Sequence, residues 1–146
     1  MSPAFTVRAA DWNLDEAAIA QVRRVVFIDE QGVPEALEWE VLDAECAWFV
    51  AHSASQGLVG IVRLTAAGRI GRMAVLPAWR GHGVGRTLLA AVLQRARELG
   101  IGRVHLSAQT HAIGFYAHHG FVVEGPEYLD AGIPHRSMLL QLEDSR

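Results

Sequence analysis

Residues 69–99, RIGRMAVLPAWRGHGVGRTLLAAVLQRAREL, constrain the fold most, because an apolar strand runs through a proline and three closely spaced glycines into an amphipathic helix. Ile70, Met73, Val75 and Leu76 read as a buried strand, and Pro77 ends it by removing a ladder donor. Gly81, Gly83 and Gly85 admit positive φ and let a ligand approach the backbone closely. Leu88, Leu89, Val92, Ala96 and Leu99 then recur on one helical face, with Gly100 as a natural stop. The first amides of such a helix lack partners within it and stand at the positive end of its dipole. The turn therefore suits an anion such as pyrophosphate, with Arg80 and Arg86 adding charge.

Two other phosphate loops are excluded by single residues. A Walker A loop needs Gly-Lys-Ser/Thr, but the chain contains no lysine, and Gly85-Arg86-Thr87 stands in that place. A dinucleotide fingerprint needs glycines at 81, 83 and 86, and position 86 is arginine. What remains, Arg-x-x-Gly-x-Gly after a strand, resembles the pyrophosphate loop of the GNAT superfamily, the acyl-CoA-dependent N-acyltransferases. The resemblance implies acetyl-CoA as cosubstrate. Backbone groups of Met73, Ala74 and Val75 would pair with pantetheine as an added strand does. Arg80, Gly81, His82, Gly83, Val84, Gly85 and Arg86 would hold the pyrophosphate.

A second segment, QTHAIGFYAHHGF at 109–121, resembles the same superfamily, in which an Asn-x-x-Ala-x-x-x-Tyr-x-x-x-Gly-Phe pattern follows a strand. Ala112, Tyr116, Gly120 and Phe121 match, whereas Gln109 replaces the usual asparagine and changes the reach of the amide. The resemblance places Gln109, Ala112, Phe115 and Tyr116 at the cofactor and makes Tyr116 the acid that protonates the departing thiolate. A phenol with a pKa near 10 is protonated at neutral pH and suits that role.

A narrower resemblance, to the ElaA-type branch of these proteins, rests on residues 26–34 (VFIDEQGVP), 38–40 (EWE), 70–75 (IGRMAV) and 131–135 (AGIPH). Gln31, Glu38, His105 and His135 are the polar residues expected to line the acceptor side, together with Glu30 and Gln109. The glutamate that many GNAT enzymes carry on the strand before the pyrophosphate loop is missing, since this strand offers only Arg69 and Arg72. An amine must lose a proton before it attacks a thioester. Glu30 is the first candidate base and His105 the second.

The rest of the chain sets outer bounds. Its 146 residues suit one domain spanning 1–146, and a chain of that size buries roughly 68–70% of its unfolded surface. A single cysteine, Cys46, cannot form an internal disulfide. The N-terminus lacks a signal-type apolar region and no run approaches the roughly 18 apolar residues of a membrane span, so a cytoplasmic location is expected, with no membrane partner. Net charge is −3 with dispersed arginines, which argues against nucleic acid. His111, His118 and His119 are spaced wrongly for one metal: seven helical residues span roughly 10.5 Å. His119 is instead expected to bond the last carbonyls of its helix.

The reading is an α/β (α+β) GNAT fold, with a mixed, mostly antiparallel sheet of about six to seven strands flanked by helices. The function expected is direct acetyl transfer from acetyl-CoA to the primary amine of a small molecule or peptide, in a ternary complex. The alternative is a catalytically weak CoA-binding sensor or interaction module. A helix capped by Asn13 or Asp15 should turn Ile19, Val22, Val25 and Val26 inward and Arg23 and Arg24 outward or sideways. The acidic stretch Glu35, Glu38, Glu40, Asp43 could attract a cationic amine. Exposed strand edges leave a homodimer possible.

Overall fold

The computed structural model describes residues 4–142. Strand β1 (Thr6–Ala9) leads into α1 (Trp12–Arg23), which continues as a π-helical segment, Arg24–Glu30. The cap is Asp11, whose side chain accepts from the amides of Asn13 and Leu14. It is not Asn13 or Asp15, because Asp15 is held by Arg8 through two hydrogen bonds of 2.7 and 2.9 Å. A short helix α2 (Glu35–Glu38) and a 3-10 turn (Val41–Glu45) follow. The meander β2 (Ala47–Ser53), β3 (Gly57–Leu64) and β4 (Ile70–Val75) then completes a four-stranded antiparallel sheet in the order β1-β2-β3-β4.

Helix α3 (Val84–Glu98) crosses to β5 (Arg103–Gln109), and α4 (Ile113–His118) precedes β6 (Val122–Asp130) and β7 (Ile133–Gln141). These last strands form a separate three-stranded sheet, order β5-β7-β6, with β7 inserted between the other two. Helix α3 buries Leu88, Leu89, Val92 and Ala96 against Val62, Leu64 and Ile70 of the first sheet. On the opposite face Ile19, Val22 and Val26 pack on Trp48, Val50, Ile61 and Ala74. Among the described residues, no helix is long and apolar enough to cross a membrane.

Strands β4 and β5 run parallel, as the helical crossover implies, yet they touch at one bridge only, Arg69 to His105. The His105 amide donates to the Gly68 carbonyl at 3.0 Å. Beyond that point the two sheets splay, leaving the β4 edge without a strand partner. The contact depends on a glycine: Gly68 has φ +89°, and a Cβ there would stand 2.8 Å from the Arg103 carbonyl oxygen.

Arg23 departs from the outward or sideways orientation expected of it. It is 1% exposed, with Nε 2.7 Å from Glu38 Oε2 and Nη1 2.8 Å from Asp43 Oδ2. The rings of Trp39 and Trp48 lie 4.9 and 5.3 Å from its guanidinium carbon. Asp43 also receives Arg63 at 2.7 Å, and Glu40 receives Arg63 at 2.9 Å and Arg72 at 3.2 Å. Burial alone would raise the Asp43 carboxyl. Hydrogen bonds from Arg23, the Glu40 amide and Arg63 outweigh it and hold the pKa below the ordinary value.

Candidate active site

The splayed strands frame a cleft of about 1200 Å³. One wall is β4, presenting Met73, Ala74 and Val75; the other is β5 with α4, presenting Ser107, Gln109, Ala112, Phe115 and Tyr116. The π-helical segment closes over one side with Phe27, Glu30 and Gln31. Two contacts fasten it there. Gln109 Nε2 donates to Gln31 Oε1 at 2.9 Å, and Arg80 donates to both oxygens of Glu30 at 2.7 and 2.6 Å.

Past Arg80, Gly81 and Gly83 both take positive φ, at +78° and +84°, and Gly83 is the N-cap of α3. Among the described residues no side chain caps this helix, so the amides of Val84, Gly85 and Arg86 are left for another acceptor. Val84 contributes only its backbone, since its side chain is buried in the core. A Cβ on Gly85 would meet the Phe115 ring at 3.7 Å, which puts the first turn of α3 directly against the wall of the cleft. The 15-residue helix directs its dipole at this point. The residues present therefore fit an anionic cosubstrate entering along the open edge of β4.

Tyr116 lies at the throat. Its hydroxyl points to Met73 Sδ at 3.8 Å, and its ring packs edge-on against Phe115 and Phe121. Burial raises the phenol to about 12, so it keeps its proton across the physiological range. Glu30 is held differently: the Arg80 hydrogen bonds lower its pKa, and a carboxylate so engaged is a weak base. Arg80 is likewise committed, with Nε donating to the Val75 carbonyl at 3.0 Å.

His135 is buried in the cleft wall, where its Nδ1 lies 2.6 Å from the Ile133 carbonyl oxygen and its ring stacks on Tyr128. A carbonyl only accepts, so the neutral ring carries its proton on Nδ1 and leaves Nε2 with a lone pair. Ser107 bonds to the Tyr128 hydroxyl on the same face.

Two expected acceptor-side residues are elsewhere. Glu38 is 1% exposed and stands behind the cleft, engaged by Arg23 and, at 3.0 Å, by Arg72. The acidic stretch is thus no open lure for a cation, because Glu35, Glu38, Glu40 and Asp43 all carry arginine partners. His105 sits outside the cleft, on a small cavity of about 180 Å³ on the three-stranded sheet. Phe27, Arg69, Ser107 and Asp130 line the cleft without having been anticipated. Of these, Ser107 was signalled by its spacing from Gln109, since alternate strand residues share a face.

Comparison with known proteins decides the family. A family profile described as Acetyltransferase (GNAT) domain matches residues 13–142. The chain belongs to the GNAT acetyltransferase family. A GNAT relative, the uncharacterized N-acetyltransferase YjcF of Bacillus subtilis, is 36% identical over 121 residues, covering 81% of this chain and 86% of its own length. An acyl-CoA N-acyltransferase from Pseudomonas aeruginosa superposes with a TM-score of 0.81 at 35% identity, over 94% of this chain and 99% of that one. Escherichia coli ElaA superposes with a TM-score of 0.82 at 25% identity, over 93% and 99%. The four- and three-stranded sheets are consistent with the fold of these GNAT neighbours.

Proposed function

We propose that this GNAT protein transfers an acetyl group from acetyl-CoA directly to a primary amine held in the same cleft. The observation that carries the reading is the Tyr116 hydroxyl standing 3.8 Å from Met73, beyond the bridge, where β4 and β5 have already separated. An acid that keeps its proton, beside an open strand edge, is what departure of a thiolate requires.

The thioester supplies the activated acyl group. The chain supplies position. The β4 edge at Met73 and Val75 offers backbone groups to the pantetheine amides. The α3 amides, with Gly81, His82 and Gly83 before them, receive the pyrophosphate. Gln109, Ala112 and Phe115 close the opposite wall. Holding amine and thioester together in this way converts a bimolecular reaction into an oriented one, and most of the acceleration is assigned to that effect. Tyr116 donates its hydroxyl proton toward the leaving sulfur.

Glu30 takes the proton of the incoming amine. The role requires Arg80 to turn from Glu30 toward a phosphate, which returns the carboxyl toward its ordinary basicity. Gln31 and His135 line the path of the amine, with Nε2 of His135 as a hydrogen-bond acceptor.

A second reading, a CoA-binding module without appreciable turnover, is favoured by one feature: the base candidate is neutralised by Arg80. Thermal unfolding with and without acetyl-CoA, followed by an amine panel, tests both. A saturating ligand at about 100 times Kd adds about 2.7 kcal/mol, a rise of several degrees for a chain of this size. Gly85→Ala should retain the unliganded midpoint, because its methyl meets Phe115 at ordinary contact distance, and lose much of the shift. A shift with no acetylation of any amine establishes the binding module. No shift in the parent overturns both readings.

A further inference from the structure

Among the described residues four arginines line the cleft, and three have carboxylate partners. Arg63 pairs with Glu40 and Asp43, Arg72 with Glu38 and Glu40, and Arg80 with Glu30. Arg69 is the exception: it is exposed, and among the described residues no acid pairs with its guanidinium.

Its position is nevertheless fixed. The Arg69 amide donates to Thr65 Oγ1 at 3.0 Å, and its carbonyl accepts from the Thr65 amide at 2.9 Å. The bridge to His105 holds it from the other side. Arg69 thus stands where the two sheets meet, at the closed end of the cleft. It also borders the small cavity, whose wall carries the hydroxyls of Ser107 and Ser137 and one acid, Glu124.

A guanidinium without an internal anion, on a fixed backbone and beside hydroxyl donors, matches a carboxylate in both charge and geometry. A polyamine would meet repulsion at the same place, and the acids facing the cleft at Glu30 and Glu40 are already paired. Asp130, the remaining acid of the lining, lies beyond the Gln109–His135 pair at the other end of β5.

We infer that the acceptor is an amine that also bears a carboxylate, with the carboxylate on Arg69 and the amine directed to Met73 and Tyr116. The inference rests on the acetyl-transfer reading for the fate of the amine, but not for the binding of the acid. Met73 is four residues along the chain from Arg69, at most about 13 Å, so the acceptor separates its two ends by several bonds.

The test uses 4-aminobutyrate, 5-aminovalerate and 6-aminohexanoate, each against its own carboxamide. Binding is measured by calorimetry on the protein saturated with CoA, and acetylation is followed separately with acetyl-CoA. The parent should prefer at least one acid over its amide by about ten- to hundredfold in Kd, the range of a charged hydrogen-bonded contact. Arg69→Gln should abolish that preference, whereas Arg97→Gln, on the exposed face of α3, should retain it.

Equal binding of acid and amide, a preference that survives Arg69→Gln, or no binding by any acid overturns the inference. Arg69-dependent binding without acetylation sustains it while overturning the transfer reading. Acetylation of acids and amides alike does the reverse.

Discussion

The Glu30 carboxylate and the Arg80 guanidinium, fifty residues apart in sequence, meet through two hydrogen bonds of 2.7 and 2.6 Å. The pair links the segment that covers the cleft to the glycine loop proposed to receive the phosphates. Each residue is thereby held away from the role proposed for it. Arg80 can bind a phosphate, or Glu30 can accept a proton, only when the pair opens, so cosubstrate binding and base activation become one event.

That coupling has a measurable consequence. Both side chains are about two-fifths exposed, at 43% and 40%, and an exposed pair of this kind contributes about 0.2–1 kcal/mol. Glu30→Gln frees Arg80 and should tighten CoA binding by about two- to fivefold, whereas Arg80→Ala should weaken it. Calorimetric titration of CoA into the three proteins decides the point. Weaker binding in Glu30→Gln would show that Arg80 does not change partners.

Tyr116→Phe should lower kcat while leaving the affinity for acetyl-CoA close to that of the parent. A positioned acid contributes typically 10²–10⁴-fold, and a phenol at about 12 is a poor proton donor, so a loss of about 10²-fold at the lower end is expected. The same high value means that Tyr116 imposes no alkaline limb on the parent's kcat profile below about pH 10. Unchanged turnover in the variant would assign the hydroxyl to packing alone.

The buried ion network should dominate stability. Arg23→Met leaves Glu38 and Asp43 without their main partner, and breaking a buried pair from one side costs about 3–5 kcal/mol. At about 2–4 °C per kcal/mol, the melting point should fall by roughly 6–20 °C. Asp43 adds a pH signature. Its folded pKa is depressed, so its contribution is present above the unfolded value of 3.8 and is lost as pH falls below it. Acid denaturation of the parent should therefore steepen below about pH 4, and Asp43→Asn should flatten that limb.

What the sequence made legible follows from how local each signal is. The glycine turn, α3 and the His119 contact to its own helix, Nδ1 to the Phe115 carbonyl at 2.9 Å, depend on neighbours within a few residues and were readable directly. Arg23 was not: its partners Glu38 and Asp43 are 15 and 20 residues away, and helical periodicity alone turns it outward or sideways. Strand β6 carries Gly125 and Pro126, residue types that usually interrupt a strand. The strand absorbs them as a register shift between Glu124 and Tyr128 and runs on to Asp130. The acceptor side was harder still, since Arg69 and Asp130 gain meaning only from which neighbouring charges are already paired.

The closed end of the cleft depends on a single missing side chain. Gly68 adopts φ +89°, and a methyl group there would approach the Arg103 carbonyl oxygen to 2.8 Å and Ile101 Cγ2 to 3.1 Å, the nearer atom belonging to the backbone, which cannot swing aside as a side-chain end can. Gly68→Ala therefore combines left-handed strain with overpacking and should destabilise the chain by about 2–4 kcal/mol. It should also loosen the Arg69–His105 bridge and, through it, the angle at which β4 and β5 part. Denaturant midpoint and CoA affinity, measured together, separate the two effects. A lower midpoint with unchanged affinity means that β4 and the α3 turn hold the cosubstrate without help from this contact. A loss in both means that the bridge sets the width of the cleft along its whole length.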